Sequence, residues 1–392
     1  MSEEKNVPNI RFKGFTDPWE QRKLGDVSSK VTEKNKSKKY TETLTNSAEY
    51  GIINQYAFFD KSISNSNSIA SYYVVKRDNF VYNPRISTAA PVGPINRNRL
   101  NIIGIMSPLY YVFEATNIDK SYLEYYFKTT KWHNFMKIEG NTGARSDRLA
   151  IKDKVLVKMP IPYPKVKEQK QIGELFESID TTIALHQQKV TQLKELKKLL
   201  MQKIFDQEWR FRGFTDPWEQ RKLGSAYEIT MGQSPNSNNY TKNPNDFILV
   251  QGNADIKNGR VVPRMWTKQI TKLANPGDII LSVRAPVGDV GITNYTVVLG
   301  RGVASISGDD FIYQTLIKMK TFGFWRKFST GSTFESINSK DIKNAVILVP
   351  IANERRNIGT IFKSVDATIA LHQQKVDQLK ELKKYLMQNL FV

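Results

Sequence analysis

The chain is written twice. Residues 11–25 read RFKGFTDPWEQRKLG and residues 210–224 read RFRGFTDPWEQRKLG, an offset of 199 with one conservative change. A second pair stands at an offset of 186: residues 172–205 recur at 358–391 with 25 of 34 positions identical. Between them lie two stretches, 26–171 and 225–357, that share only echoes. APVG occurs at Ala90–Gly93 and Ala285–Gly288, Thr142 matches Thr330, and Lys152 matches Lys340. The offsets fall steadily from 199 through 195 and 188 to 186, as a collinear duplication with scattered deletions produces. A long internal repeat decides architecture before any local propensity does. The expectation is two copies of one fold, diverged between conserved borders: 1–25, 26–171, 172–209, 210–224, 225–357 and 358–392.

Charge is distributed unequally over this plan. The 392 residues hold 58 Lys and Arg against 38 Asp and Glu, a net of +20, of which +10 falls in 26–171 and +6 in 225–357. A polyanion partner is therefore expected at the variable stretches, while the nearly neutral repeats suit protein contacts. The absence of Cys excludes a disulfide framework, thiolate zinc sites and a cysteine nucleophile. No apolar run approaches the roughly 18 residues of a membrane span, and the first residues lack an apolar signal core, so a cytoplasmic protein without a membrane partner is expected.

The long repeat reads as helix. Phe176, Ile183, Val190 and Ile204 fall at position a of a heptad, and Ile172, Ile179, Leu193 and Leu200 at d; the second copy matches with Phe362, Ile369, Val376, Leu390 and Ile358, Val365, Leu379, Leu386. Each helix would be about 50 Å long at 1.5 Å per residue. Two equal seams in one chain supply each other. The 152 intervening residues, 206–357, suffice to bring the second helix back antiparallel, the expected arrangement, although the pattern leaves a parallel pair open. Polar residues break the seam at the same places twice: His186 and His372 at d, Lys197 and Lys383 at a. They read either as a register lock or as positions facing a groove or solvent.

In the short repeat, Asp17-Pro18-Trp19-Glu20 resembles a capping box opening a short helix that Gly25 closes, with Asp216, Pro217, Glu219 and Gly224 repeating it. Asp17 and Glu20 as nuclease metal ligands are disfavoured, because carboxylates three apart in a cap serve structure. Trp19 and Trp218 join the helix seams as candidate partner contacts.

The variable stretches read as compact α+β domains. Tyr72–Val75, Phe80–Tyr82, Leu109–Phe113, Phe247–Val250, Asp278–Val283 and Ala345–Val349 are strand-like, and Tyr122–Met136 and Phe311–Phe328 are amphipathic helices. Their connecting loops carry cations beside Gly, Ser, Asn and aromatic residues, the groups that suit base edges and phosphates. The candidates for DNA contact are Tyr82, Asn83, Arg85, Arg145, Arg148, Lys257, Arg260, Arg284, Arg301, Ser332 and Thr333.

Catalytic motifs are missing. The Asn-Pro pairs do not continue as the Asn/Asp-Pro-Pro-aromatic loop of an amino-methyltransferase, there is no phosphate loop, and His133 is the sole histidine outside the heptads. A non-catalytic chain is expected. A structural or RNA-binding coiled-coil module is the alternative to a DNA reader.

Taken together, RF(K/R)GFTDPWEQRKLG, a divergent domain ending in Leu-Val-Pro, and Glu354 through Ile358 leading into a heptad helix resemble the specificity subunit of type I restriction-modification enzymes. GDIILSVRAPVGDVG (277–291), GRGVAS (300–305) and STGSTFESINSKDI (329–342) are typical of its target-recognition domains; FVYNPRISTAAPVG (80–93) and GNTGARSDRLAIKD (140–153) stand at the matching places of the first. The resemblance implies two tandem-duplicated α/β target-recognition domains joined by two long helices in an antiparallel coiled coil with pseudo-twofold symmetry. Each domain would read one half of a bipartite double-stranded DNA site. The helices would set the spacing and dock two methyltransferase subunits, with up to two restriction subunits. It also implies that S-adenosylmethionine, ATP and Mg serve those partners and that this chain binds no cofactor.

Overall fold

The computed structural model describes residues 6–56, 69–142, 146–328 and 336–392. The chain divides into two compact units, Met1–His186 with Lys375–Val392, and Gln187–Gln374. No helix among the described residues is long and apolar enough to cross a membrane.

Each unit is built on a sheet of the same strand order. In the first, Ser28–Lys30, Tyr111–Ala115, Asn79–Tyr82 and Ile95–Arg97 pair antiparallel in that sequence. In the second, Glu228–Met231, Val303–Ser307, Ile279–Ser282 and Val290–Ile292 do the same, and Arg260–Val261 and Ile256–Lys257 extend the edge. A five-stranded sheet, including Phe247–Val250 parallel to Val297–Leu299, completes the second unit. Divergent sequences thus keep one core, since alternating burial tolerates exchange of apolar residues of similar volume.

The two long helices span Val166–Phe205 and Ala352–Asn389, each starting six residues before the repeated segment. The added first turn holds a buried carboxylate. Arg11 grips Glu168 through Nε–Oε1 at 2.7 Å and Nη2–Oε2 at 2.9 Å, and Arg210 grips Glu354 at 2.9 and 2.7 Å. The helices run antiparallel in both units. In the first, Ile179 and Ile183 pack on Val376 while Phe176, earlier in the chain, stacks on Phe391, later in it, with ring centres 5.9 Å apart. In the second, Phe205 meets Phe362 at 5.8 Å while Lys197 reaches Asp366.

Short-range signals failed in two places. The short repeat is not a capped helix: Glu20–Lys23 and Glu219–Lys222 are strands, pairing antiparallel with Pro160–Tyr163 and Val346–Val349. Strand geometry puts alternate side chains on one face, so Arg22 reaches Glu20 at 3.1 Å and also lies 3.6 Å above the Tyr163 ring. Backbone pairing over a long sequence separation outweighs the local cap. Gly25 ends in no helix terminus but against Val157, whose Cβ would stand 3.1 Å from an added Cβ.

The amphipathic segments are also interrupted. The first divides into Lys120–Phe127 and His133–Glu139, the second into Asp310–Thr321 and a 3-10 turn Phe324–Phe328 after Gly323, whose φ is +73°. Trp132 and Trp325 are buried at these breaks, so the chain bends to insert an indole rather than continuing the helix.

Trp19 and Trp218 are buried too, which removes them as partner contacts: each indole meets an aromatic ring edge-on, Tyr122 at 6.1 Å and Phe311 at 5.9 Å. Trp218 Nε1 also donates to Glu354 at 3.1 Å.

Candidate nucleic-acid interface

In the first unit the Asn79–Tyr82 strand runs out into the loop that carries Asn83 and Arg85. Arg85 forms an antiparallel bridge with Arg148, so residues 84–86 and 147–149 lie side by side. Leu149 donates its N–H to the Pro84 carbonyl at 2.8 Å and Ile86 to Asp147 at 3.0 Å. Arg85 is exposed and Arg148 half-buried. Two guanidinium groups on neighbouring backbone segments form a fork-bearing edge suited to phosphates and guanine. Arg145 lies outside the described residues.

Tyr82 and Asn83 shape this edge from behind. Tyr82 is buried, and its hydroxyl donates to the carbonyls of Val92 at 3.1 Å and Leu149 at 3.2 Å, tying the two loops together. Burial pushes that phenol far above its ordinary value. It therefore offers no face to a ligand, contrary to its reading as a contact residue. The Asn83 amide donates to the Asn46 carbonyl at 2.8 Å and accepts from the Arg85 N–H at 3.0 Å. Asn46 in turn donates to Val81 and Pro94 at 2.7 and 3.2 Å and accepts from Asn96 at 2.7 Å. Asn46 and Asn96, which pin the loop, were missed by sequence reasoning: nothing local distinguishes them from surface asparagines. Gly93 has φ +80°, and an added Cβ would stand 2.1 Å from the Asn83 carbonyl oxygen.

The second unit repeats the construction with different parts. Arg284 follows the Ile279–Ser282 strand, is exposed, and forms an antiparallel bridge with Ser336. Ser332 and Thr333 lie outside the described residues. Ser282 Oγ donates to the carbonyls of Arg284 and Pro286 at 2.9 and 3.1 Å, curling the loop. Gly288, with φ +91°, sits on Trp325, whose Cδ1 would be 2.6 Å from an added Cβ. Val283 donates to Gly302 at 2.9 Å, so exposed Arg301 lies at the same strand ends as Arg284.

Lys257 and Arg260 are elsewhere. They flank the hairpin turn Asn258–Gly259, whose φ values are +50° and +73°. Arg260 pairs with Ile292, which pairs with Ile279, so the hairpin stands at the end of the sheet opposite Ser282. Both cations are exposed, and Arg260 donates to Asn294 at 3.3 Å. The unit thus presents two cationic groups, not one.

The helix seam residues sort by burial: Ile183, Val190 and Val376 are buried, whereas His186, Leu193, Ile369, His372 and Leu379 are half-buried. Among the described residues no group of three or more His, Cys, Asp or Glu could hold a metal ion. His133 stands edge-on to Trp132 at 4.8 Å, and burial, with the nearby Lys137 ammonium, lowers its pKa.

Comparison with known proteins agrees with this layout. A family model described as type I restriction modification DNA specificity domain matches residues 16–195 and again 215–381. The chain is 29% identical over 289 residues to the provisionally named type I restriction enzyme MjaX specificity subunit of Methanocaldococcus jannaschii, covering 69% of this chain and 67% of that one. To the MjaVIII specificity subunit of the same organism it is 21% identical over 313 residues, 72% of each. Among solved structures, the S subunit of a type I restriction-modification system from M. genitalium superposes with a TM-score of 0.65 at 14% identity, over 98% of this chain and 99% of that one. A chain from the type I R-M system, in a structure described for complex assembly and conformational transition, gives 0.56 at 21% identity over 94% and 96%. At such identities the structural likeness establishes the fold.

Proposed function

Since the chain belongs to the specificity-subunit family of type I restriction-modification systems, we propose that it is the non-catalytic subunit that chooses the DNA sequence on which its partners act. Target-recognition domains 26–171 and 225–357 each read one half of a bipartite, asymmetric double-stranded site. The near-neutral long helices set the distance between the halves and dock two methyltransferase subunits. Those partners use S-adenosylmethionine to methylate adenine, and up to two restriction subunits add ATP- and Mg-dependent cleavage in the cytoplasm.

One observation carries this reading. In both units an exposed arginine leaves the same core strand, ahead of an Ala-Pro-Val-Gly turn, and is bridged by backbone pairing to a second loop. The scaffold is duplicated while the loops differ in sequence. A pair of identical partners needs repeated docking surfaces, and a two-part asymmetric site needs two different reading edges. Mapping methylated adenines after treating DNA with the chain and its methyltransferase partner tests it: methylation at one bipartite sequence is expected, and sequence-independent methylation would refute it.

A further inference from the structure

A groove of about 660 Å³ opens in the first unit between the end of Lys120–Phe127, the turn that follows it, and the C-terminal part of the second long helix. Five lysines line it, Lys128, Lys131, Lys380, Lys383 and Lys384, with Met387 beside them and no carboxylate in the lining. Lys128 is held by Glu124 at 2.9 Å and Lys383 by Asp180. Lys131, Lys380 and Lys384 are exposed and have no ion-pair partner among the described residues.

The second unit surrounds the same helix positions with different neighbours. Its long helix repeats the same lysines as Lys194, Lys197 and Lys198. There Lys197 pairs with Asp366 at 2.7 Å, and the facing helix has Lys318 paired with Asp206 at 2.7 Å and Lys320 paired with Asp289. Asp206 has Val392 at its repeat position in the first unit. Lys194 and Lys198, exposed like Lys380 and Lys384, likewise have no ion-pair partner among the described residues, so the two frames differ in the facing segment, where Lys318 and Lys320 are held by carboxylates and Lys131 is not.

Helix dipoles do not account for the lysines of the groove. Their attraction for cations fades beyond the last turn, and Lys380 and Lys384 precede the end of the helix at Asn389 by nine and five residues. As like charges four apart they even weaken the helix slightly. Five ammonium groups converging on a concave site, of which only Lys128 and Lys383 have a counter-ion, raise the local concentration of anions.

We infer that this groove is a binding site for phosphate groups, separate from the loops that read bases. Two sources share that chemistry: the backbone of DNA and a free oligophosphate. The DNA source rests on the function proposed above; the oligophosphate source does not.

The test compares matched variants of the full chain, Lys380→Gln with Lys384→Gln against Lys194→Gln with Lys198→Gln. Both remove two exposed charges at the same repeat positions. Affinity for a duplex of arbitrary sequence is measured over a salt series, and inorganic tripolyphosphate is titrated calorimetrically. The groove pair should flatten the plot of log affinity against log salt by about 1.8, two phosphate contacts' worth, if DNA is the source, or weaken tripolyphosphate binding at least tenfold if it is not. Lys131→Gln, which lies off the long helix, should act in the same direction. If groove and matched pairs behave alike in both measurements, the site is refuted. Should the groove pair weaken tripolyphosphate binding yet leave duplex affinity and its salt slope unchanged, the site belongs to a free oligophosphate and the proposed DNA reading, tested by methylation mapping, is untouched.

Discussion

Lys197 reaches across the helix pair to Asp366, with Nζ 2.7 Å from Oδ1 and 2.9 Å from Oδ2. Asp366 also accepts from Gln314 Nε2 at 2.8 Å. The first unit builds the same knot from Lys383, Asp180 and Tyr125, whose hydroxyl donates to Asp180 at 2.8 Å. A lysine at a seam position therefore closes an interhelical ion pair instead of reaching for solvent, which favours the register lock. Lys197→Ala should cost about 1–2 kcal/mol, between a surface and a buried pair. A double-mutant cycle with Asp366→Asn by urea unfolding should return a coupling near 1 kcal/mol; zero coupling would mean the pair is incidental.

Glu168 tests the buried carboxylates. Its side chain is fully buried and takes both forks of Arg11. Glu168→Gln keeps the shape and removes the charge, leaving a guanidinium without its counter-ion, so a loss of about 3 kcal/mol is expected from denaturant unfolding. An unchanged midpoint would show that the pair contributes nothing net.

Gly93 separates loop shape from side-chain contact. Its φ of +80° and the 2.1 Å approach of the Asn83 carbonyl leave no room for a Cβ. Gly93→Ala should strain the Arg85 loop by about 1–3 kcal/mol. Recognition of one half-site should weaken while the other is kept, which methylation of substituted duplexes would reveal; equal weakening of both would contradict independent reading edges.

Arg284 is exposed on a loop curled by Ser282. Replacing it with Ala should cost about 1–3 kcal/mol of binding and relax base preference at one position, if it forks onto a guanine. A uniform loss across sequences, with a shallower salt dependence, would make it a phosphate contact instead. Arg260, at the opposite end of the sheet, should affect a different position or none.

His133 gives a pH dependence of known sign. Burial first, and the Lys137 ammonium second, lower its pKa below the ordinary imidazole value of about 6.5. The unfolded chain then takes up a proton that the folded chain refuses. Stability tied to this group is intact above about pH 7 and declines as pH falls through 6.5 and below. His133→Asn should flatten that part of the stability profile, and an unaltered slope between pH 7 and 5 would rule the histidine out as its source.

The internal repeat and the heptads were enough to identify two copies of one fold and two long helices, because apolar periodicity survives without tertiary information. The basic excess in 26–171 and 225–357 was equally legible, because net charge is counted along the chain. Packing alone decided the rest. Whether Glu20–Lys23 became helix or strand depended on Pro160–Tyr163, some 140 residues away, and local capping could not report that partner. Tyr82 resembled a contact residue until the fold buried its hydroxyl between Val92 and Leu149, and Asn46 gained a role only when strand pairing brought Asn83 and Asn96 to it. The segments that face the repeated lysines differ in charge balance, because Lys318 and Lys320 meet Asp206 and Asp289 from other elements whereas Lys131 has no such partner among the described residues. Periodicity is a property of neighbours along the chain; burial and counter-charge are properties of neighbours in space.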